Sequence, residues 1–164
     1  MTETKRRGMT LAEAAREFWR HPTPWLLSTA FVGAVIARVA VGDWQWSDAV
    51  LPFFVLAVFP FFEWMIHVFI LHWRPRRVAG LMVDPVLARK HREHHADPRV
   101  TRLIFIPLQS LAGAFVAALL VAFVAIPRTG LGLTFLVVLF GIGVVYEWSH
   151  YLVHTDYKPK TWFY

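Results

Sequence analysis

The sequence predicts an all-α membrane protein with four transmembrane helices, a cytoplasmic cap rich in histidine and an N-terminal amphipathic helix at the membrane surface. Three observations lead to this prediction. Four long apolar stretches divide the chain of 164 residues, and hydrophobic residues make up 57% of it, more than in soluble domains. The one long link between these stretches is strongly basic. Seven of the eight histidines lie in that link or at the ends of the stretches.

The N-terminal segment, residues 1–24, is predicted to form a short amphipathic helix on the cytoplasmic side. Thr10 and Glu13 have the spacing of a capping box, in which each side chain bonds the backbone N–H of the other residue. The apolar face of this helix would consist of Leu11, Ala14, Ala15 and Phe18. We expect the helix to lie on the bilayer surface, with a helix exposed to solvent as the alternative. The membrane domain would then occupy residues 25–164.

Four apolar stretches are close to the roughly 20 residues that a transmembrane helix needs. They are Trp25–Val41, Ala49–Leu71, Leu103–Ile126 and Leu131–Val153. The third stretch carries no charge, and the second carries only Glu63 and His67 as ionisable groups. Stretches of this length and composition favour membrane spans over the alternative, which is a set of buried helices in a soluble protein.

The uneven distribution of basic residues between the links sets the expected topology. Residues 72–102 hold eight Lys or Arg and the first 24 residues hold five, whereas residues 42–48 hold none. The positive-inside rule therefore places the long link and both termini in the cytoplasm, and Lys158 and Lys160 agree with this. The formal net charge of +6 then matches anionic lipid head groups, so we expect no nucleic acid partner.

Seven histidines form three compact groups at the predicted cytoplasmic face. The groups are His67 with His72, His91 with His94 and His95, and His150 with His154. The middle group has the i, i+3, i+4 spacing of one helix face, and the last pair is one helical turn apart. The first pair is five residues apart, which corresponds to about 140° on an ideal helix. Its two rings can converge only where the helix ends or is distorted.

This density of imidazole side chains indicates a metal site held by nitrogen ligands. The chain has no cysteine, which excludes disulfides, thiolate metal sites, iron–sulfur clusters and a cysteine nucleophile. Neutral imidazole suits zinc, copper, iron and nickel, so the ligand type leaves the metal open. Seven ligands exceed one tetrahedral site, and we expect two metal ions. One ion with spare histidines is an alternative, as are histidines that bond only carbonyls and head groups.

Two carboxylates inside the predicted spans precede histidines at helical spacing. Glu63 lies one turn before His67, and Glu147 lies three residues before His150. Histidine ligands usually donate their second ring N–H to a carboxylate or a carbonyl oxygen. We therefore expect Glu63 and Glu147 to orient ligand rings, with direct metal ligation as the competing role.

The motifs that contain these histidines resemble those of the fatty acid hydroxylase/sterol desaturase superfamily, which consists of integral-membrane non-haem di-iron oxygenases. They are HVFILH (HX4H), HREHH (HXXHH) and EWSHYLVHTDYKP (EWXHX3HTXYXP), in this order over roughly residues 55–164. The last motif is more similar to the fatty acid hydroxylase and sterol desaturase branch than to the related carotenoid hydroxylases. A carotenoid hydroxylase-like enzyme is therefore an alternative within the same resemblance.

The resemblance implies an enzyme that uses two irons and O2 to hydroxylate or desaturate a C–H position of a fatty acyl or sterol-like lipid. Zinc is the alternative metal. The implied ligands are His67, His72, His91, His94, His95, His150 and His154. The electron donor would be a ferredoxin or a cytochrome b5-type protein, because the sequence has no flavin or haem motif. The basic side chains that would bind this donor, unless they serve membrane topology alone, are Arg74, Arg76, Arg77, Arg89 and Lys90.

The family pattern continues with a further HXXHH box, which does not occur between HTDYKP and Tyr164. From the resemblance we expect a fragment or a natural truncation in which one iron has too few ligands. A catalytically incomplete metal-binding membrane protein is therefore the alternative to an active enzyme. A metal transporter ranks last, since its ligands would lie near the bilayer midplane.

Overall fold

The fold is mostly helical, and four of its helices are long and apolar enough to cross a membrane. A computed structural model describes residues 8–158, so the predictions that involve Pro159 and Lys160 lie outside the described residues. The four spans cover Pro22–Val41, Trp46–Leu71, Thr101–Ala125 and Thr129–Val153. By length and composition, they confirm the four predicted spans.

The second and the third span each end in a π-helical turn. In chain order, the elements are α1 (Leu11–Phe18), α2 (Pro22–Val41), α3 (Trp46–Met65) continued by a π-helical turn (Ile66–Leu71), β1 (Arg76–Val78), β2 (Leu81–Val83), α4 (Val86–Ala96), α5 (Thr101–Ile104), α6 (Leu108–Leu120) continued by a second π-helical turn (Val121–Ala125), and α7 (Thr129–Val153). The first span begins earlier than predicted because Pro22 fits the first helical turn, where its missing N–H is not needed. The second begins earlier because the Asp48 carboxylate accepts a hydrogen bond from the Gln45 N–H at 2.9 Å.

The third span is interrupted near its start. Helix α5 ends at Ile104, and Phe105 and Pro107 have extended backbones. A residue before proline is disfavoured in the helical region, so Ile106 cannot easily continue the helix. The break leaves the Ile106 N–H free to donate a hydrogen bond to Glu147 in the last span, at 3.2 Å.

Helix α7 is the central element and packs along α2. The core that α7 forms with α2 and α6 consists of Ala34, Ala118, Ala122, Leu133, Leu136 and Phe140. A Cβ atom at Gly132 would collide with the carbonyl oxygen of Ala122, so glycine is needed for the close approach of the two backbones. The second span lies mostly outside this core and exposes its apolar side chains, as contact with lipid would require.

The N-terminal helix α1 begins with the predicted capping box. The Glu13 carboxylate accepts a hydrogen bond from the Thr10 N–H at 2.7 Å, and the Thr10 hydroxyl accepts one from the Glu13 N–H at 3.2 Å. The predicted apolar face is divided, because Ala14 and Phe18 are buried inside the protein while Leu11 is exposed. Phe18 packs on Phe105, with ring centroids 5.8 Å apart. Helix α1 therefore packs into a second buried cluster, formed with the start of the third span and the end of α7, and also exposes one apolar residue.

The link between the second and third spans contains a short antiparallel hairpin, so the prediction of an all-α fold was incomplete there. Strands β1 and β2 pair Arg76 with Val83 and Val78 with Leu81. The two turn residues, Ala79 and Gly80, both have positive φ angles, which is the geometry of the tightest hairpin turns. This hairpin was hard to predict from the sequence, because alanine rarely adopts a positive φ.

A buried ionic network joins the ends of three spans at the side of the bundle opposite the histidines. Arg38 is 2% exposed, and its Nη2 lies 3.1 Å from Asp48 Oδ1. The Thr134 hydroxyl accepts a hydrogen bond from Arg38 Nε at 2.8 Å and donates one to Asp48 at 2.6 Å. Arg128 Nη2 contacts the other Asp48 oxygen at 2.6 Å, and Arg128 Nη1 reaches Asp43 at 3.1 Å. Each buried charge in the network is thereby paired.

We expect Asp48→Ala to lower the free energy of unfolding by about 3–5 kcal/mol, because Arg38 loses its buried counter-charge and keeps only the contact with the partly exposed Asp43, at 3.3 Å. The measurement is the melting temperature of the purified protein in detergent. Asp43→Ala is the control: the Asp43 side chain is 40% exposed, and exposed ion pairs contribute about 0–1 kcal/mol. Equal melting temperatures for Asp48→Ala and the wild type would contradict this role.

Candidate metal centre

The first two candidate ligands converge through the π-helical turn that ends the second span. The His72 N–H donates to the His67 carbonyl oxygen at 3.2 Å, which is the i to i+5 pattern of a π-helix. Residues five apart lie above one another in such a turn. The Nε2 atoms of His67 and His72 are accordingly 3.0 Å apart. The π-helical turn is therefore the helix distortion that the five-residue spacing of His67 and His72 required.

Helix α4 presents two further histidines to this pair. The Nε2 atoms of His91 and His95, one turn apart, are separated by 2.9 Å. The ring of His91 lies 4.9 Å from that of His67, and the ring of His95 lies 5.2 Å from that of His72, measured between centroids. One ligand nitrogen from each of the four lies within 4.8 Å of the others. We call these four residues the four-histidine group.

The remaining three candidates form a second group. His94 Nε2 lies 3.1 Å from His154 Nε2, and the His94 ring is 5.4 Å from the ring of His150. Their ligand nitrogens also lie within 4.8 Å of one another. We call these residues the three-histidine group. His94 is buried and the other two are partly buried, whereas two members of the four-histidine group are exposed.

The two groups are neighbours because α4 contributes to both. His91 and His95 join one group, and His94, between them in the sequence, joins the other. The His94 ring is 6.3 Å from that of His91 and 6.0 Å from that of His95. The prediction that these three share a face agrees with these ring distances. Their division between two groups fits the expectation of two metal ions better than that of one.

The donor atoms fit metal ions in chemistry and spacing. Two nitrogens bound at right angles to one ion, each about 2.1 Å from it, are about 3 Å apart. Three pairs of Nε2 atoms have separations of 2.9 to 3.1 Å. His94 also has a buried Nδ1 without a hydrogen-bond partner among the described residues. Each group can therefore hold a metal ion, and the all-nitrogen donor set suits iron and zinc alike.

The environment of four of the histidines favours the neutral form that binds metals. Burial, and then the neighbouring histidines, lower the pKa of His91 to about 4. The pKa of His94 is lowered by burial and by His154, and those of His72 and His154 are lowered mainly by burial. Near neutral pH these rings are therefore uncharged, with a lone pair available for a cation.

The two predicted orienting carboxylates occupy different surroundings. Glu147 is buried and accepts hydrogen bonds from the Thr23 hydroxyl at 2.7 Å and from the Ile106 N–H at 3.2 Å. Its Oε2 has no hydrogen-bond partner among the described residues. The ring of His150 bonds the backbone of Ile104 instead of Glu147. Glu147 thus holds the backbone at the break in the third span. It can influence the orientation of the His150 ring only through that segment.

Glu63 is partly buried, and no hydrogen bond to a histidine joins it within residues 8–158. Its predicted role as an orienting group therefore stays a prediction. Tyr146, whose ring stacks on that of His150 with centroids 5.7 Å apart, was not predicted. The signal was present, since Tyr146 precedes His150 by one helical turn.

Arg92 is a positioning residue that the sequence analysis missed. Its guanidinium donates to the Trp73 carbonyl oxygen at 2.6 Å and to Asp84 at 2.7 Å. These contacts fasten α4 to the segment that follows His72. The HREHH spacing places Arg92 off the face of the histidines, and nothing in the sequence pairs it with Asp84.

A small cavity of about 60 Å³ adjoins both histidine groups. Its wall includes His91, His94 and His150. Most of the other lining residues are apolar: Leu71, Leu87, Leu103, Ile104, Phe105, Ile106 and Pro107. Histidines of both groups therefore line a largely apolar cavity next to the start of the third span.

We expect His94→Ala to reduce the bound metal from about two ions per chain to about one, because it removes the buried member of a group that has only three donors. The measurement is metal content by elemental analysis of protein purified in detergent. His21→Ala is the matched control, since His21 belongs to neither group. Wild-type metal content in the His94 variant would contradict this assignment.

We expect Arg92→Ala to weaken metal binding by the four-histidine group roughly 10–100-fold, as removal of residues that orient ligands typically does. The reason is that α4 loses its attachment beside His72. Competition with a chromogenic chelator measures the affinity. Arg77→Ala, an exposed arginine on β1, removes the same charge without this contact. Identical chelator titrations for the two variants would contradict a positioning role for Arg92.

No family model, curated protein or solved structure matches the chain. Its function is therefore inferred from the two histidine groups, the membrane spans and the cavities beside them.

Proposed function

We propose that this chain is the membrane domain of an O2-dependent di-iron oxygenase that hydroxylates or desaturates a lipid. The single observation that carries the proposal is the pair of adjacent histidine groups, each with its ligand nitrogens within 4.8 Å. A soluble hydrolytic zinc site needs no second ion beside it and no membrane spans. Two ions in contact with an apolar cavity between such spans suit the oxidation of a lipid carbon.

The resemblance of the HX4H, HXXHH and EWXHX3HTXYXP motifs to the fatty acid hydroxylase/sterol desaturase superfamily supports the same proposal. On this reading, the proposed ligands are His67, His72, His91, His94, His95, His150 and His154. Members with this pattern carry a further HXXHH box, which would add donors beside the three-histidine group. A fatty acyl or sterol-like chain is the proposed substrate class, and a carotenoid is the alternative within the resemblance.

The proposed orientation places both termini and the histidine groups in the cytoplasm. The positive-inside rule supports this, because the link at the histidine end is rich in Arg and Lys. At the opposite end, Arg38 and Arg128 are paired with Asp43 and Asp48 and contribute little net charge. We also propose that α1 lies at the interface, with the exposed Leu11 toward the head groups.

The residues of this chain would bind the metals, orient their ligands and exclude water. Iron, when bound, supplies the oxidising power for an unactivated C–H bond, which side chains lack. His91, His94 and His150 would hold the metals against the small cavity, whose apolar wall keeps bulk water away from the reacting carbon. The Ile104 backbone holds the ring of His150, and Glu147 fixes the following backbone at Ile106.

Hydroxylation places one atom of O2 in the C–H bond and releases the other as water, which consumes two electrons and two protons. Desaturation instead removes two hydrogens from the lipid and reduces O2 to two molecules of water, which also consumes two electrons and two protons. We propose a ferredoxin or a cytochrome b5-type protein as the donor of the electrons. The exposed arginines on and before β1, Arg74, Arg76 and Arg77, would form its docking surface. Arg76 is already ordered by stacking over the Trp73 ring at 3.5 Å.

A metal-binding protein without oxygenase activity is the second candidate. The four-histidine group favours it, since four protein ligands complete a tetrahedral zinc site and leave no open position. The two candidates differ in metal and in turnover. An oxygenase needs iron and consumes O2, whereas the second candidate retains zinc or another ion and leaves lipids unchanged.

The test is expression of the gene, extended past codon 164 where its reading frame continues, in a host whose lipids are profiled by mass spectrometry. We expect iron in the purified protein and a new hydroxylated or unsaturated lipid that requires O2. The His150→Ala variant should abolish the product, and Asp43→Ala should not, because Asp43 belongs to neither histidine group and lies at the opposite end of the bundle. Bound zinc and an unchanged lipid profile would exclude the oxygenase and favour the second candidate.

A further inference from the structure

A larger cavity lies beside the metal centre, between the start of α2, helix α4 and the broken start of the third span. Its volume is about 520 Å³, within the range of small-molecule sites. Three cationic side chains line it: Arg89, Lys90 and Arg102. His21 and Gln109 add polar groups, and no carboxylate is among its lining residues.

The positive charge of this cavity is only partly balanced. Lys90 contacts Glu93 at 2.5 Å, whereas the side chains of Arg89 and Arg102 have no ion pair or hydrogen bond within residues 8–158. The cavity retains an excess of positive charge next to a single acid.

Apolar residues also line the cavity where the third span begins. Among them are Phe105, Ile106 and Leu108, and Leu108 is the first residue of α6, the long part of that span. A lining that combines cations with apolar side chains at the start of a membrane span matches the two parts of a phospholipid. Guanidinium groups bind phosphate with paired N–H donors. A soluble anion would make no use of the apolar wall.

We propose that this cavity binds the phosphate-bearing head group of an anionic membrane lipid. The phosphate would contact Arg89 and Arg102, with the glycerol and the first acyl carbons against Phe105 and Leu108. The cavity shares Lys90, Leu103, Phe105, Ile106 and Pro107 with the small cavity at the histidines. A lipid anchored there would begin its chain beside the metal centre. The binding itself needs no metal and goes beyond the proposed function.

The test compares lipid affinities of the full chain purified in a neutral detergent. Phosphatidylglycerol and phosphatidylcholine are titrated separately and their binding is measured by native mass spectrometry. We expect a preference for phosphatidylglycerol that falls about fivefold for each lost cation, or about 25-fold in the double variant Arg89→Gln with Arg102→Gln. The double variant Arg89→Lys with Arg102→Lys keeps the charge and should keep most of the affinity.

The matched control is the double variant Arg76→Gln with Arg77→Gln, which removes two arginines of β1 that are outside the cavity lining. Equal losses in both glutamine pairs would overturn the proposal, because general surface charge would then explain the preference. Inorganic phosphate that displaces the lipid at the lipid's own concentration would overturn it too, by indicating a soluble anion. If the glutamine pair does not fold, Arg102→Gln alone, at an exposed position, carries the same comparison. Failure here leaves the oxygenase proposal standing, because the readout is lipid binding without turnover.

Discussion

The hydrogen bond from the His72 N–H to the His67 carbonyl oxygen, at 3.2 Å, is the constraint on which the candidate metal centre depends. In a regular α-helix the two rings would point about 140° apart, and only one could face helix α4. The π-helical turn brings both to the same side, where His91 and His95 meet them. The four-histidine group could therefore not form without this local widening of the helix. π-Helical turns of this kind occur frequently at functional sites.

Helix α4 is the second determinant, since it belongs to no span and must be held at the membrane face by other contacts. Arg92 fastens it to the chain after the second span. The broken third span packs under it and is fixed in turn by Glu147 of α7. Both attachments are hydrogen bonds of buried or half-buried polar groups: Arg92 bonds Trp73 and Asp84, and Glu147 bonds Ile106. The two histidine groups are therefore held from three separate parts of the chain.

Much of this arrangement follows from spacing in the sequence. The apolar stretches predict the four spans, and the three histidine spacings predict rings that converge at one side. Prediction fails where the partner is distant in the chain. Thr23 and Glu147 are joined by a hydrogen bond across the fold, and the i, i+3, i+4 pattern of α4 cannot reveal that His94 joins a different group from its neighbours. The burial of Ala14 and Phe18 inside the protein could not be predicted either. The reason is that the apolar face of a helix suits contact with protein and contact with lipid equally.

The pairing of Arg38 with Asp48 has a consequence for biosynthesis. Arg38 belongs to the first of the four spans in chain order, and a lone arginine is poorly accepted by hydrocarbon. Its counter-charge arrives with the next span, so α2 and α3 can enter the bilayer together with Arg38 already paired to Asp48. Thr134 and Arg128 are synthesised later and complete the contacts when the last span inserts. The order of the chain thus protects this charge before the tertiary fold exists.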